Sequence, residues 1–288
     1  MADDTATITK PMQRTIAGEA TVEGRGLFMG QSVTVRFKPA PANHGVVLVR
    51  TDVKETGHPV HIPALISHVT KRARRTTLRS GEAVVETCEH CLSALAGLRI
   101  DNVRIEISGP EMPAGDGSAQ PFVDALLSAG VAEQDQPRQV FDITEPITIE
   151  DGEAMIAALP ADNPGMQVIY DLDYGANGPV PAQVHAFNLH NGNYAKQIAP
   201  ARTYVLEAEA HALQQAGLGK HLTPKEILVI GAEGPLGGNA LRFDDELVRH
   251  KVLDLIGDLA LLGCAIRGRI VAYRSGHSLN HRLARRMS

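Results

Sequence analysis

The stretch LRFDDELVRHKVLDLIGDL, residues Leu241–Leu259, decides how the second half of this chain folds. Its apolar residues recur with the period of an amphipathic helix, which predicts one long helix here. Residues four positions apart on a helix lie roughly 40° apart on one face, so His250 and Asp254 point the same way. A buried imidazole and carboxylate need a shared partner, because an unpaired buried charge is costly.

A divalent metal ion would be such a partner. Zinc accepts nitrogen and carboxylate oxygen ligands, and catalytic zinc sites use three protein ligands and one open position. A lone H-x-x-x-D motif also fits an ordinary ion pair on a helix surface. The segment Thr87-Cys-Glu-His-Cys91 favours the metal. Glu89 and His90 lie about 100° apart on a predicted helix, so one could ligate a metal while the other acts as a general base. The alternative is an exposed Glu beside a surface His.

Two further segments allow a catalytic and a structural interpretation. Asp258 follows His250 by two helical turns among apolar neighbours and needs a hydrogen-bond donor. Ser275-Gly-His277 could supply one, and an Asp–His pair would favour the protonated imidazole; otherwise His277 faces solvent at the end of a strand. Thr203 precedes a predicted helix, where it could be the N-cap or direct its hydroxyl toward an oxyanion.

Composition argues against several functional classes. A net charge of −5, 4% aromatic residues and no Trp among 288 residues do not suit a nucleic-acid-binding surface. No apolar run reaches about 18 residues, so no membrane span is expected. The N-terminal MADDTATITKPMQRT lacks the apolar segment of a secretory signal. With three cysteines and no signal, we expect a reducing, cytoplasmic setting. We interpret Cys88 and Cys91 as small core residues rather than a redox or zinc pair.

Strand-like and helix-like segments alternate, which predicts an α+β fold. Strands are expected at 31–37, 46–50, 102–107, 141–150, 155–159, 168–174 and 270–273, and helices at 88–98, 121–128, 207–215, 244–262 and 277–286. A weak internal echo, with a helix, a short link and a strand around His90 and again around His250, predicts two similar layered domains packed helix face to helix face. The polar segment Ala132–Arg138 predicts the boundary between domains 1–131 and 132–288. The glycines between Gly24 and Gly30 indicate a turn between strands, because no helix follows them.

Six blocks of this sequence together resemble the UDP-3-O-acyl-N-acetylglucosamine deacetylase family, over residues 13–287. They are GRGLFMGQSVTV (24–35), TCEHCLSALAGLRIDNVRIEI (87–107), PEMPAGDGSAQPF (110–122), ARTY (201–204), LRFDDELVRHKVLDLIGDL (241–259) and YRSGHSLN (273–280). The resemblance implies a metal-dependent deacetylase of lipid A biosynthesis that acts on a UDP-linked acylated amino sugar. It implies zinc as the cofactor, although iron(II) also suits two His and one Asp. We expect a monomer without stable membrane insertion and without a second enzyme fused after the last helix.

The resemblance also implies roles for individual residues. The metal ligands fall on His90, His250 and Asp254. Glu89 matches the general base, and His277 matches a second catalytic histidine oriented by Asp258. Thr203 matches a hydroxyl that holds the oxyanion, and Lys251 matches a lysine near the reacting centre and the diphosphate. Substrate-binding positions fall on Lys251, Asp173, Tyr174, Tyr204 and Arg274. Each domain of the family carries a small insert, and the second, at about 204–230 here, lines a passage for the acyl chain.

Three departures from the family pattern bear on function. Phe28 stands where the family usually has His, two cysteines flank the E-H pair, and the segment Lys220–Glu226 differs. Because that segment lies beside the expected acyl passage, two alternatives stay open. One is a metal hydrolase of the same fold that acts on a different acylated UDP-amino sugar. The other is a catalytically inactive UDP-sugar-binding module.

Overall fold

The computed structural model describes residues 11–55, 57–176, 178–215, 217, 219, 221–223 and 226–288. Most of the N-terminal segment that we interpreted as lacking a secretory signal, and part of the Lys220–Glu226 segment, lie outside the described residues. None of the described helices is both long enough and apolar enough to span a membrane.

The chain forms a mixed α+β structure, as predicted. In chain order, the strands are β1 (Met12–Ile16), β2 (Ala20–Arg25), β3 (Ser32–Pro39), β4 (Val46–Glu55), β5 (His58–Pro63), β6 (Val69–Thr70), β7 (Thr77–Ser80), β8 (Ala83–Glu86), β9 (Val103–Ile107), β10 (Val131–Pro137), β11 (Val140–Asp142), β12 (Ile147–Asp151), β13 (Ala154–Leu159), β14 (Met166–Leu172), β15 (Gln183–Asn188), β16 (Tyr204–Leu206), β17 (Leu228–Gly231), β18 (Gly234–Pro235) and β19 (Ala265–Tyr273). The α-helices are α1 (Glu89–Gly97), α2 (Gln120–Ser128), α3 (Tyr194–Gln197), α4 (Glu207–Gln215), α5 (Glu246–Leu259) and α6 (His277–Met287). Within the described ranges, 3₁₀ turns cover Ile66–His68, Leu189–Asn191 and Ala260–Leu262.

Two sheets repeat one topology. The first has the order β2-β3-β9-β4-β5 and the second β12-β13-β19-β14-β15, with β11 added beside β19. In each sheet the strand that follows the helix enters the middle, parallel to one neighbour and antiparallel to the other. The weak echo in the sequence therefore corresponds to a repeated arrangement of strands and helices. The domain boundary itself stays a prediction.

Helices join the two sheets. α2 packs on β2 and α1, α5 packs on β14 and β15, α6 packs on β12 and β13, and α1 packs directly against α5. One continuous buried cluster contains apolar side chains from both sheets, among them Phe37, Leu48, Ile156 and Val168. Cys88 and Cys91 are buried in this cluster as free thiols, which confirms their interpretation as core residues.

Two small elements project from the repeated units. Strands β6, β7 and β8 form one three-stranded sheet, and β16, β17 and β18 form another. In the second, α4 connects the parallel strands β16 and β17. This unit covers the predicted insert at 204–230.

Several sequence expectations need correction. The helix expected from residue 241 or 244 begins at Glu246. The Glu246 carboxylate is fully buried and accepts the main-chain N–H of Arg242, so residues 241–245 form turns instead of helix. The single strand expected at 141–150 is two strands, β11 and β12, separated by residues that include Pro146, which cannot donate to a sheet.

The connection expected at residues 132–138 is mostly strand. β10 pairs antiparallel with β1, with a register shift near Met12. The sequence did not indicate this strand, because β10 exposes most of its residues and lacks the apolar alternation of a half-buried strand. The turn predicted at 24–30 is confirmed, since it connects β2 with β3.

Candidate active site

Helices α1 and α5 cross at Gly257. A Cβ atom at this position would lie 2.1 Å from the main-chain oxygen of Glu89, far inside van der Waals contact. Only glycine lets the two backbones approach this closely. The crossing brings Glu89 and His90, at the start of α1, beside His250 and Asp254 on α5.

Three buried side chains direct ligand atoms toward one point. Nε2 of His250 lies 3.3 Å from Oδ1 of Asp254, and Nε2 of His90 lies 3.7 Å from the same oxygen. One donor atom from each residue falls within 4.8 Å of the others. Tetrahedral ligands about 2.0–2.2 Å from a zinc ion are separated by roughly 3.3–3.6 Å. The spacing therefore suits a divalent ion with small adjustments.

The environment of this triad prepares it for a cation. The Nδ1–H of His250 donates to the carbonyl oxygen of Ala201 at 3.0 Å, which leaves the Nε2 lone pair free. Burial lowers the pKa of His250 to about 4, so the ring is neutral, as a ligand must be. Burial alone would raise the pKa of Asp254, but the neighbouring His250 and Lys251 outweigh it and hold that pKa well below its usual range.

An acid–base pair flanks the triad. Oε1 of Glu89 lies 3.8 Å from Nε2 of His277, and Nδ1–H of His277 donates to Oδ2 of Asp258 at 2.8 Å. Burial raises the pKa of Glu89. Burial alone would lower the pKa of His277, but the Asp258 carboxylate outweighs it and raises that pKa to about 10. The site thus holds a carboxylate that readily accepts a proton beside an imidazolium that retains one.

The serine of Ser275-Gly-His277 does not contact Asp258 as the sequence allowed. Its hydroxyl donates to Oδ1 of Asn280, and the side-chain amide of Asn280 donates to Oδ2 of Asp258. Of the two donors that the segment offered, His277 is therefore the one that reaches this carboxylate.

Lys251 and Thr203 both line the cavity in front of the triad. The Nζ of Lys251 donates to Oδ2 of Asp254 at 2.7 Å and lies 5.9 Å from the centre of the Tyr204 ring. Thr203 immediately precedes β16, whereas α4 begins at Glu207. The N-cap interpretation of Thr203 is therefore wrong, because a strand separates it from the helix. Its main-chain N–H donates to the carbonyl of Gly117 at 2.7 Å.

The expected substrate-binding residues separate into two groups. Tyr174 and Tyr204 line the cavity, and their hydroxyl groups lie 3.0 Å apart. Asp173 and Arg274 are not among the described lining residues. They form an ion pair with each other at 2.8 Å. The structure thus brings the two tyrosines to the site and leaves the ion pair beside it.

The cavity has a volume of about 820 Å³, and both polar and apolar residues line it. The triad, Glu89, His277 and Lys251 form a polar part. Most of the apolar lining residues, which we call the apolar part, belong to β16, α4, β17 and the chain between them: Val205, Ala210, Leu213, Leu222, Ile227 and Val229, with Leu27 and Phe28 from the turn before β3. Glu209 and Gln214 of α4 also line the cavity. A ligand with both polar and apolar groups would match this lining.

Sequence reasoning missed two buried residues that organise the site. The Glu111 carboxylate accepts the main-chain N–H groups of Phe28 and Met29 and the hydroxyl of Thr87, which fixes the turn at the cavity wall. Thr76 contacts both Glu89 and Asp258. Glu111 lies in the block PEMPAGDGSAQPF and could have been noticed there. Thr76 lies in none of the six blocks, so no sequence signal marked it.

Comparison with known proteins agrees with this geometry. The family model for LpxC, described as UDP-3-O-acyl N-acetylglycosamine deacetylase, matches residues 13–288. A UDP-3-O-acyl-N-acetylglucosamine deacetylase of Myxococcus xanthus is 39% identical, over 96% of this chain and 86% of the relative. The corresponding enzyme of Pseudomonas entomophila is 38% identical, over 96% of this chain and 89% of the relative. A bifunctional LpxC/FabZ enzyme of Chlorobaculum tepidum is 40% identical, over 93% of this chain and 62% of the relative. The chain therefore belongs to the LpxC family of UDP-3-O-acyl-N-acetylglucosamine deacetylases.

Proposed function

We propose that this enzyme removes the N-acetyl group from UDP-3-O-acyl-N-acetylglucosamine, the committed step of lipid A biosynthesis, with zinc held by His90, His250 and Asp254. One observation carries the proposal. Three potential ligand atoms converge at the wall of a cavity, and Glu89 and His277 flank them from different elements. The names of the relatives supply the substrate, and the geometry supports the reaction.

The ligand set fits a catalytic metal rather than a structural one. Among the described residues, the ligand set of two nitrogens and one oxygen leaves a position open, whereas structural zinc sites are closed by four protein ligands. When bound, such a metal acts as a Lewis acid that polarises a carbonyl and lowers the pKa of water. Iron(II) also suits this set. Zinc is therefore a proposal that a metal analysis must test.

Glu89 and His277 divide the proton transfers. Glu89 takes a proton from the attacking water while the water oxygen forms a bond to the acetyl carbon. His277, cationic through Asp258, stabilises the negative oxygen and gives a proton to the leaving nitrogen as the C–N bond breaks. Acetate and a free amine result. Thr203 and Lys251, which line the same cavity, help to hold the oxyanion and the diphosphate.

The apolar part of the cavity accepts the 3-O-acyl chain. Val205, Ala210 and Leu213 of the predicted apolar set line it, whereas Leu206 and Ala208 are not among the described lining residues. The nucleotide lies toward Tyr174 and Tyr204. Asp173 and Arg274 contact the nucleotide from beside the cavity. Their ion pair either stays closed or opens when the nucleotide binds.

One purified sample tests the proposal. Metal content and deacetylation of UDP-3-O-acyl-N-acetylglucosamine are measured together, in the wild type and in His250→Ala. Wild-type protein should contain about one zinc ion per chain and release acetate. His250→Ala should lose most metal and nearly all turnover. Full metal occupancy in that variant would show that the ligand set is wrong, and inactive wild-type enzyme with zinc bound would reject the reaction or the substrate.

A different acylated UDP-amino sugar is the second candidate substrate. This candidate is suggested by a contact of His221, which belongs to the segment that departs from the family pattern. The Nε2–H of His221 donates to the carbonyl of Gly26 at 2.9 Å. This contact joins the departing segment to the turn that carries Phe28. A panel of UDP-linked amino sugars that differ in the acyl group separates the candidates by kcat/KM. Binding of UDP-sugars without turnover of any of them would instead support an inactive binding module.

A further inference from the structure

Thr76 lies immediately before β7 and is fully buried where α1 meets α5. Its main-chain N–H donates to Oε2 of Glu89 at 3.0 Å, and its carbonyl accepts the N–H of Cys88 at 3.2 Å. Its hydroxyl donates to Oδ1 of Asp258 at 2.5 Å. Thr76 therefore binds two carboxylates: that of Glu89, which faces His277, and that of Asp258, which orients His277.

These contacts close a ring of four residues. Thr76 holds Oε2 of Glu89, whose other oxygen lies 3.8 Å from Nε2 of His277. Nδ1–H of His277 donates to Oδ2 of Asp258. The ring closes because the Thr76 hydroxyl donates to the other oxygen of this carboxylate, Oδ1. Because the ring joins the β6–β8 sheet, α1, α5 and α6, a displacement at Thr76 would change the distance between Glu89 and His277.

The Asp258 carboxylate determines which way the Thr76 hydroxyl points, and this in turn determines the role of His281. Burial alone would raise the pKa of Asp258. The neighbouring His277 and His281 outweigh burial and hold this pKa far below its usual range, so the carboxylate only accepts hydrogen bonds. Thr76 has one hydroxyl hydrogen and gives it to Asp258. Nε2 of His281 lies 2.9 Å from the Thr76 oxygen and 3.2 Å from Oδ1 of Asp258. This nitrogen must therefore carry a hydrogen and donate toward both oxygens.

We propose that Thr76 is a positioning residue that fixes Glu89 and His277 relative to each other, and that His281 locks the Thr76 hydroxyl onto Asp258. The inference rests on the proposed acid–base roles of Glu89 and His277. Thr76 touches none of the three proposed metal ligands within hydrogen-bond distance, so its effect is on the chemical step and not on metal binding.

The adjacent threonine provides a matched control. Among the described residues, Thr77 is a buried threonine whose hydroxyl has no hydrogen-bond partner. Thr76→Val and Thr77→Val therefore make the same change at neighbouring buried positions, and only the first removes a contact to Asp258. Thr76→Ser keeps the hydroxyl and tests rescue.

With UDP-3-O-acyl-N-acetylglucosamine as substrate, Thr76→Val should lower kcat by about tenfold to a hundredfold, as the loss of a residue that orients a metal ligand by a hydrogen bond does. KM, zinc content and Tm should stay close to those of Thr77→Val. Thr76→Ser should recover most of kcat. Equal kcat in Thr76→Val and Thr77→Val would overturn the proposal, as would a loss in Thr76→Val that Thr76→Ser does not restore.

His281→Leu tests the proposed role of His281 in holding the Thr76 hydroxyl. It also tests the proposal if Thr76→Val does not fold. It should lower kcat by about threefold to tenfold at unchanged KM, and its effect should not add to that of Thr76→Val, because both act through one carboxylate. A wild-type kcat in His281→Leu, or additive losses in the double variant, would overturn the role of His281.

A spectroscopic measurement separates this inference from the proposed function. In protein with ¹⁵N-labelled histidine, the low-field Nδ1–H signal of His277, identified by its absence in His277→Ala, should shift in Thr76→Val and not in Thr77→Val. This result would support the positioning role even if the enzyme fails to turn over the substrate. An identical signal in both variants would overturn it even in a fully active enzyme.

Discussion

At the scale of single residues, the site depends on groups whose pKa values are displaced from their usual ranges by burial and by neighbouring charges. Burial raises the pKa of Glu89, which improves it as a base, while Asp258 outweighs burial at His277 and keeps that ring protonated. General bases work best when their pKa approaches the operating pH. The two groups are therefore suited to opposite proton transfers although they lie 3.8 Å apart.

Glu89→Gln tests the base directly. The amide keeps the shape of the side chain and its acceptor oxygen toward Thr76, but it cannot take a proton. We expect kcat to fall by about 10²–10⁴, with metal content and KM close to those of the wild type. Steady-state kinetics and metal analysis on the same preparation provide the measurement. Activity within a few-fold of the wild type would mean that another group is the base.

The pH dependence of kcat/KM should be bell-shaped. Glu89 must be deprotonated, so activity rises with pH through its raised pKa. His277 must be protonated, so activity falls as pH rises through its pKa of about 10. A bound dication would lower both values, which places the alkaline limb at or below that pH. In His277→Ala this limb should vanish or move; an unchanged profile in that variant would count against the assignment.

At the scale of elements, the crossing of α1 and α5 is the feature on which the site depends. Replacing glycine by alanine inside a helix usually stabilises it by about 1 kcal/mol. At Gly257 the added Cβ would meet the main-chain oxygen of Glu89 at 2.1 Å, and a backbone atom cannot turn away as a side chain can. The clash should therefore outweigh the gain in helix propensity.

Gly257→Ala should destabilise the protein by about 1–3 kcal/mol, the usual cost of overpacking, which corresponds to a fall in Tm of roughly 2–10 °C for a chain of this size. Zinc affinity should fall as well, because His90 moves with α1 and away from α5. Thermal unfolding and zinc titration measure both effects. Gly109→Ala is the control, since its Cβ would meet Val33 at an ordinary 3.5 Å. A Gly257→Ala protein as stable as this control would show that the helices separate without cost.

At the scale of the whole molecule, the repeated sheet topology explains the position of the site. Each half presents one helix that precedes its central strand, α1 before β9 and α5 before β19. When these helices pack together, residues at the start of one and in the middle of the other meet. The smaller unit of β16, α4 and β17 then adds the apolar wall of the cavity.

This wall leads to a prediction about acyl length. Each buried methylene contributes about 0.8 kcal/mol, or roughly a fourfold change in kcat/KM. The value of kcat/KM should rise by up to that factor per methylene until the apolar part of the cavity is full, and then stay level. UDP-linked substrates that differ only in acyl length provide the test. Equal turnover of an acetyl-only sugar and a long-chain substrate would contradict the acyl passage.

Leu213→Asp makes the same test from the side of the protein. Leu213 lines the apolar part of the cavity from α4, which has no buried residue of its own among those described. A carboxylate there should reduce the preference for long chains and leave short-chain turnover nearly unchanged. Glu207→Asp, at the start of the same helix and outside the described cavity lining, is the control.

Much of this protein was determined by local sequence. The periodicity of Glu246–Leu259 and the alternation of strands such as β3 and β9 were enough to predict an α+β fold and to place His250 and Asp254 on one helix face. These features are local because a helix sets the direction of side chains four residues apart, whatever the rest of the chain does. That His90 joins this pair was implied by the resemblance of the motif blocks to a family, because periodicity does not relate residues on two distant helices. The roles of the individual site residues stay predictions until they are tested.

Only the tertiary structure decided which distant groups meet. Thr76 and Asp258 are 182 positions apart, and nothing in the sequence around Thr76 indicates that its hydroxyl points at a carboxylate on α5. The start of α5 also depended on a distant partner, since Arg202 donates to Glu246 and buries it. Such contacts depend on the packing of whole elements, and local periodicity carries no information about them. Sequence therefore determined the elements and their chemistry, and packing determined how the acid–base groups are held together.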